Sequence, residues 1–126
     1  MYNILVCDDD KDIVEAIDIY LSKEGYNVIK AYDGMEAMEI LKKEDIQLLL
    51  IDDGIRATLK IREKSSIPII ILSAKSEDSD KIIGLDVGAD DYITKPFNPL
   101  ELIARVKSQI RRYTRLGTIA EPKSNV

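Results

Sequence analysis

Histidine is absent from all 126 residues. No mechanism can therefore draw on a histidine nucleophile, base or metal ligand supplied by this chain. Cysteine occurs once, at Cys7, which excludes an intrachain disulfide and a thiolate metal cluster. Set in an apolar run, Cys7 reads as a buried, inert thiol. No apolar run approaches the roughly 20 residues of a membrane span. The opening residues 1–6 are too short and too uncharged for a secretion signal. A cytoplasmic protein without membrane contact is expected. Internal repeats and low-complexity tracts are missing too.

What is present is 45% hydrophobic and 33% charged residues, the composition of one ordinary globular domain. The net charge of -5 repels nucleic acid. Acids crowd the start, while Arg105, Lys107, Arg111, Arg112 and Arg115 crowd the end. Such a basic last helix is more often a solvated face, its cations favouring the helix C-terminus, than a DNA contact.

Short apolar runs alternate with longer amphipathic ones. The short runs are Ile4-Leu5-Val6-Cys7, Val28-Ile29-Lys30-Ala31, Leu48-Leu49-Leu50-Ile51, Ile69-Ile70-Ile71-Leu72 and a weaker Tyr92-Ile93. The first, third and fourth are apolar throughout, as strands covered on both faces are. Between them, helical spacing predicts helices over 11–24, 34–44, 55–64, 77–87 and 99–113. Their inward faces carry Ile13, Ile17, Tyr20 and Leu21, then Ala37, Met38 and Leu41, then Ile55, Leu59 and Arg62 with Ala57 and Ile61 beside them. The last two carry Ile82, Ile83, Leu85 and Val87, and Leu100, Leu102, Ile103, Val106 and Ile110. Asp33 and Asn98 are candidate N-caps, and Pro99 suits a first turn. Five βα units predict an α/β fold, a five-stranded parallel sheet with helices on both faces. The domain spans 1–113, and residues 114–126 read as a linker or tail.

In such folds ligands sit at the carboxyl ends of the strands. There the sequence places Asp8-Asp9-Asp10, Asp52-Asp53, Ser73-Ala74 and Thr94-Lys95-Pro96-Phe97. Taken singly, each has an ordinary reading: helix cap, strand-end hydroxyl, solvated lysine. Together they form a phosphoryl-transfer set. Two unit charges about 5 Å apart repel by roughly 3 kcal/mol at an effective dielectric near 20, so converging carboxylates need a cation. All-oxygen ligation suits Mg²⁺ or Mn²⁺. A carboxylate beside such an ion can attack a phosphoryl donor and become an acyl phosphate, with lysine and hydroxyl meeting the phosphoryl oxygens.

These strand-end motifs, with Gly88-Ala89-Asp90-Asp91-Tyr92-Ile93-Thr94-Lys95-Pro96-Phe97 and the following Asn98-Pro99-Leu100-Glu101-Leu102, resemble response-regulator receiver domains. The likeness covers residues 3 to about 113 and is similar to the OmpR/PhoB subfamily, VanR-type regulators in particular. It implies the flavodoxin-like (βα)5 receiver fold. It also implies Asp52 as phosphoacceptor, Asp8, Asp9 and Asp52 as metal ligands, Lys95 paired with the phosphate, and a cis bond between Lys95 and Pro96. Ser73 and Tyr92 would be the switch residues. The implied partners are a sensor histidine kinase and, through a C-terminal winged-helix domain absent from this chain, DNA. A phosphorylated homodimer through the fourth helix, fifth strand and fifth helix is also implied. Its expected interchain pairs are Lys81 with Glu101, Asp86 with Lys107, Asp91 with Arg105 and Asp90 with Arg112. Such a chain is a signalling module, not an enzyme beyond self-phosphorylation and autodephosphorylation. A free-standing receiver is an alternative. So is a Mg²⁺-dependent phosphatase of the haloacid-dehalogenase type, although Asp8-Asp9-Asp10-Lys11-Asp12 lacks that class's threonine. A flavodoxin-like cofactor binder needs a hydroxyl- and glycine-rich loop after the first strand, where this chain has acids.

One stretch departs from the resemblance. Ile51-Asp52-Asp53-Gly54-Ile55 runs almost straight into the third helix. Relative to the resemblance, roughly six residues are wanting from a connection that already averages only about 2–6. Two explanations stay open: the protein carries extra residues over which this sequence closes up, or the shortening is real. A direct Asp52–Asp53 bond is expected to draw the third helix against the site and to impair phosphorylation severely. In either case the backbone carbonyl that relatives offer to the metal cannot be assigned to Gly54.

Overall fold

The computed structural model describes residues 1–74, 83 and 88–122. Five strands, β1 (Asn3–Cys7), β2 (Asn27–Ala31), β3 (Leu48–Asp52), β4 (Ile69–Ser73) and β5 (Asp91–Thr94), form one parallel sheet in the order β2-β1-β3-β4-β5. Four helices are described: α1 (Lys11–Ser22), α2 (Gly34–Lys43), α3 (Ile55–Arg62) and α4 (Pro99–Arg115). The helix predicted over 77–87, with Lys81 and Asp86, lies outside the described residues apart from Ile83.

The apolar strands bury both faces, and their alternation divides the core in two. Ile4, Val6, Leu48, Leu50, Ile70, Leu72 and Ile93 meet α1 and α4 through Val14, Ile17, Leu21, Leu102, Val106 and Ile110. On the other face Leu5, Cys7, Leu49, Ile51, Ile69, Ile71 and Tyr92 meet Ala37 of α2 and Ile61 of α3. The order of strands reverses between β1 and β3, where the connections leave in opposite directions and open a crevice at the carboxyl ends.

Three local expectations are corrected. α3 turns Thr58 and Ile61 inward, while Leu59 is 51% exposed. The connection before it has no room for a side chain at Gly54, where a Cβ would meet Ile51 at 2.4 Å. α1 ends at Ser22, two residues early, and Gly25 (φ 89) then turns the chain. α4 runs to Arg115 instead of stopping at 113, and the stretch after it packs as far as Ile119. Gly117 (φ 73) reverses the chain, the amides of Thr118 and Ile119 donate to the Tyr113 carbonyl, and Ile119 enters the core. The N-caps hold as expected: Asp33 accepts from the Glu36 amide, and Asn98 from those of Leu100 and Glu101.

Candidate functional site

The acid triplet after β1 divides three ways. The Asp8 side chain is fully buried, and its Oδ1 accepts from the Asp10 amide at 2.9 Å. Asp9 is exposed. Asp10 caps α1, accepting from the amides of Asp12 (3.0 Å) and Ile13 (3.4 Å). The pairing of β1 with β3 sets Cys7 beside Ile51, so the next residues, Asp8 and Asp52, emerge side by side. Asp8, Asp9 and Asp52 can each offer one carboxylate oxygen with all three atoms within 4.8 Å of one another.

Lys95 completes the cluster. The Lys95 amide bonds the Ser73 carbonyl at 2.7 Å, the Lys95–Pro96 bond is cis, and Nζ donates to Asp8 Oδ2 (2.7 Å) and Asp52 Oδ1 (2.8 Å). Burial raises the Asp52 carboxyl above the ordinary aspartate range; the Lys95 bond opposes this and the Asp8 charge adds to it. Burial pulls the Lys95 ammonium down, but its bonds to Asp52 and Asp8 outweigh that and raise it. Beneath them burial, with the charges of Asp33 and Asp8, pushes the Cys7 thiol up to about 12, which fits an inert thiol.

Ser73 enters the site by an unexpected route. Its Oγ donates at 2.8 Å to Oδ1 of Asp53, the second acid of the strand-end pair, to which the resemblance assigns no role. Asp53 has φ 43, and its amide donates to the Leu72 carbonyl at 2.9 Å. The adjacency of two acids at a shortened connection was the available signal for it. A cleft of about 770 Å³ opens beside these groups, lined among others by Asp8, Asp9, Asp52, Asp53, Arg56 and Lys60. α3 thus borders the site, as the direct Asp52–Asp53 bond leads one to expect.

Tyr92 is only 5% exposed and belongs to the core face shared with α2 and α3, apart from the carboxylate cluster. The charges assigned to interchain pairs mostly have partners within the chain. Arg105 reaches Asp91 at 2.8 Å and Glu101 at 3.2 Å. Lys107 pairs with Glu24. Asp90 takes Arg62 at 2.6 Å and the Tyr113 hydroxyl. The cause is proximity: β5 and α4 bring these residues together before any second copy arrives. Arg112 is exposed.

The oxygen-only set Asp8, Asp9 and Asp52 fits a small hard divalent cation. A carboxylate beside such an ion, with a lysine in bonding reach, is equipped to accept a phosphoryl group.

Over residues 4–107 the sequence matches the family described as response regulator receiver domain. Regulatory protein VanR of Enterococcus faecium is 46% identical over 129 residues, covering 98% of this chain and 56% of that protein. VanRc of Enterococcus gallinarum is 48% identical over 118 residues, covering 89% of this chain and 51% of that protein. The chain spans about half the length of the curated relatives it matches. The VanR alignment uses 98% of 126 residues, or about 123, in 129 positions, so about six positions are gaps on this side. That is the number expected from the short connection after Asp52. Among solved structures, the Francisella response regulator 1452 receiver domain superposes with a TM-score of 0.85 at 37% identity, covering 89% of this chain and 98% of that one. A CheY-like receiver domain protein from Methanospirillum hungatei JF-1 gives 0.84 at 27% identity, covering 91% and 98%.

Proposed function

The chain belongs to the response-regulator receiver family, as the receiver domain of a two-component regulator, and we propose that Asp52 is the residue on which it accepts a phosphoryl group from a histidine kinase. The single observation carrying this reading is the Lys95 ammonium bridging Asp8 and Asp52 at the carboxyl ends of the strands. Of the two bridged acids, only Asp52 is open to attack chemistry: its side chain is 23% exposed, whereas that of Asp8 is at 0%. The same burial disfavours the phosphatase alternative, which needs its nucleophile after β1.

In the transfer, an Asp52 carboxylate oxygen forms a bond to phosphorus as the P–N bond of the donor phosphohistidine breaks. The imidazole leaves with the electron pair and is protonated by solvent. The donor's histidine is the one this chain lacks. Asp8, Asp9 and Asp52 would hold Mg²⁺ or Mn²⁺, which when bound would supply positive charge for the phosphoryl oxygens. Lys95 moves from bridging two carboxylates to pairing with the new phosphoryl group. Ser73 donates its hydroxyl to that group, and Tyr92 follows the change behind it.

The output is a change in the surface formed by β5, α4 and the segment 77–87. Through this surface two copies pair, its charges being Lys81, Asp86, Asp90, Asp91, Glu101, Arg105, Lys107 and Arg112, of which Asp90, Asp91, Glu101, Arg105 and Lys107 would have to exchange the partners they hold within the chain. A C-terminal winged-helix domain beyond this chain then regulates transcription on DNA. No helix among the described residues is long and apolar enough to cross a membrane; a cytoplasmic location is part of the proposal, as the compartment in which a kinase would phosphorylate this domain.

Prolonged incubation with acetyl phosphate and Mg²⁺ tests the acceptor. Intact mass spectrometry is expected to show one added phosphoryl group that maps to Asp52 and is lost in Asp52→Asn. Labelling that persists unchanged in Asp52→Asn overturns the assignment.

A further inference from the structure

We infer that Asp53 is a built-in competitor of the phosphoryl group: its carboxylate holds the Ser73 hydroxyl that a phosphoryl group on Asp52 has to recruit. The inference rests on Asp52 being the acceptor. It goes further in assigning a restraining role to the next residue, produced by the short connection after β3.

The argument begins with the hydroxyl. Serine has one O–H to donate. Ser73 Oγ donates to Asp53 Oδ1 at 2.8 Å, an acceptor that carries charge and therefore binds more tightly than a neutral one. To serve a phosphoryl oxygen, that donation has to break. The backbone keeps Asp53 in place. Its amide is tied to the Leu72 carbonyl, one residue before Ser73, and its φ of 43 is in the left-handed region that aspartate tolerates. The next residue allows no side chain, since a Cβ at Gly54 would meet Ile51 at 2.4 Å, and α3 begins at once at Ile55. With a single peptide bond between Asp52 and Asp53, the second carboxylate is delivered to the same crevice as the first. Some six further residues would let the chain carry that acid away from β4.

Two substitutions separate the contributions and both suit φ 43. Asp53→Gly removes acceptor and charge; Asp53→Asn keeps an oxygen for Ser73 and removes only the charge. The readout is the rate of Asp52 labelling by acetyl phosphate with Mg²⁺, followed by intact mass spectrometry on proteins shown by urea denaturation to be folded. Asp53→Gly is expected to label about tenfold faster than the unaltered chain, the size of effect that losing a charged hydrogen bond brings. Asp53→Asn is expected to fall between. Ser73→Ala in the Asp53→Gly background is expected to cancel the gain. Equal rates for the unaltered chain, Asp53→Gly and Asp53→Asn overturn the inference and leave the acceptor standing. A gain in Asp53→Gly that survives Ser73→Ala overturns it as well. Labelling that is absent from every folded variant overturns the acceptor assignment, and the inference with it.

Discussion

The two ends of the sheet each hold a buried aspartate and a basic side chain, and they use them oppositely. At the amino ends of β4 and β5, Arg62 donates to the carbonyls of Gly88 (2.8 Å), Ser65 (3.3 Å) and Ile67 (2.6 Å) and to Asp90 Oδ2 (2.6 Å). Asp90 also accepts from the Ile69 amide at 2.8 Å and from the Tyr113 hydroxyl. One cation meets one anion, and both are saturated with hydrogen bonds. At the carboxyl ends, Asp8, Asp9 and Asp52 converge, Asp53 holds Ser73 beside them, and the Lys95 ammonium bonds Asp8 and Asp52. Burial raises both Asp90 and Asp52 above the ordinary aspartate range, Asp90 even within an ion pair, so that direction does not tell the two sites apart. Charge balance does. The balanced network ties α3, β4, β5 and α4 together, while the unbalanced one keeps negative charge in reserve for a cation and a phosphoryl group.

Breaking the balanced end is expected to cost most. Arg62→Ala leaves the Asp90 carboxylate, 10% exposed, without its cation. Removing one partner of a buried pair costs on the order of 3 kcal/mol, and urea denaturation should show it. Mg²⁺ is expected to restore none of that loss. The matching cut at the other end is Lys95→Ala, which strips the cation from Asp8 and Asp52. A loss of about 2 kcal/mol is expected without metal, with most of it recovered in saturating Mg²⁺. Equal behaviour of the two variants towards Mg²⁺ would erase the distinction between the ends.

Acidity gives a smaller effect with a definite sign. A carboxyl raised above its unfolded value binds its proton more tightly when folded. Stability therefore falls as pH climbs from the ordinary aspartate value of 3.8 through the raised ones of Asp90 and Asp52. Denaturation midpoints taken across that window without metal are expected to decline with pH. Asp90→Asn is expected to flatten part of the slope with or without Mg²⁺. If Asp90→Asn steepens the slope instead, its carboxyl is held down, not up.

How much of this was legible beforehand follows from range. Strand and helix positions are local, so apolar runs and caps such as Asp33 and Asn98 revealed them, and with them the strand-end acids. The Arg62–Asp90 network joins residues 28 apart, and Arg62 had read as one more member of an amphipathic face. Ile119 escaped notice because a single apolar residue after Gly117 has no period to betray it. The inward turn of Thr58 and the exposure of Leu59 depend on how α3 packs against the sheet, which helical spacing alone does not give. Asp91 and Arg105 were recognised as partners, but sequence spacing says nothing about whether a pair closes within one chain or between two.

The finest comparison removes one hydroxyl from each end. Tyr113→Phe deletes a donor to Asp90, and Ser73→Ala deletes a donor to Asp53. Both acceptors are carboxylates, so the donors differ chiefly in what the acid meets once abandoned. Asp90 has little access to water, and a buried acceptor left short of a bond costs about 1–2 kcal/mol. Asp53 is exposed and can take up water in place of the serine, so its loss should be near 0.5 kcal/mol or less. In labelling the order is expected to reverse. Tyr113→Phe should label as the unaltered chain does, because the hydroxyl lies at the opposite end of the strands from Asp52. Ser73→Ala should label several-fold more slowly, because the phosphoryl group on Asp52 loses its hydroxyl donor. Paired urea melts and acetyl phosphate time courses on the two variants measure both orders at once. A Ser73→Ala chain that loses as much stability as Tyr113→Phe while labelling normally would make Ser73 a structural hydroxyl like its counterpart.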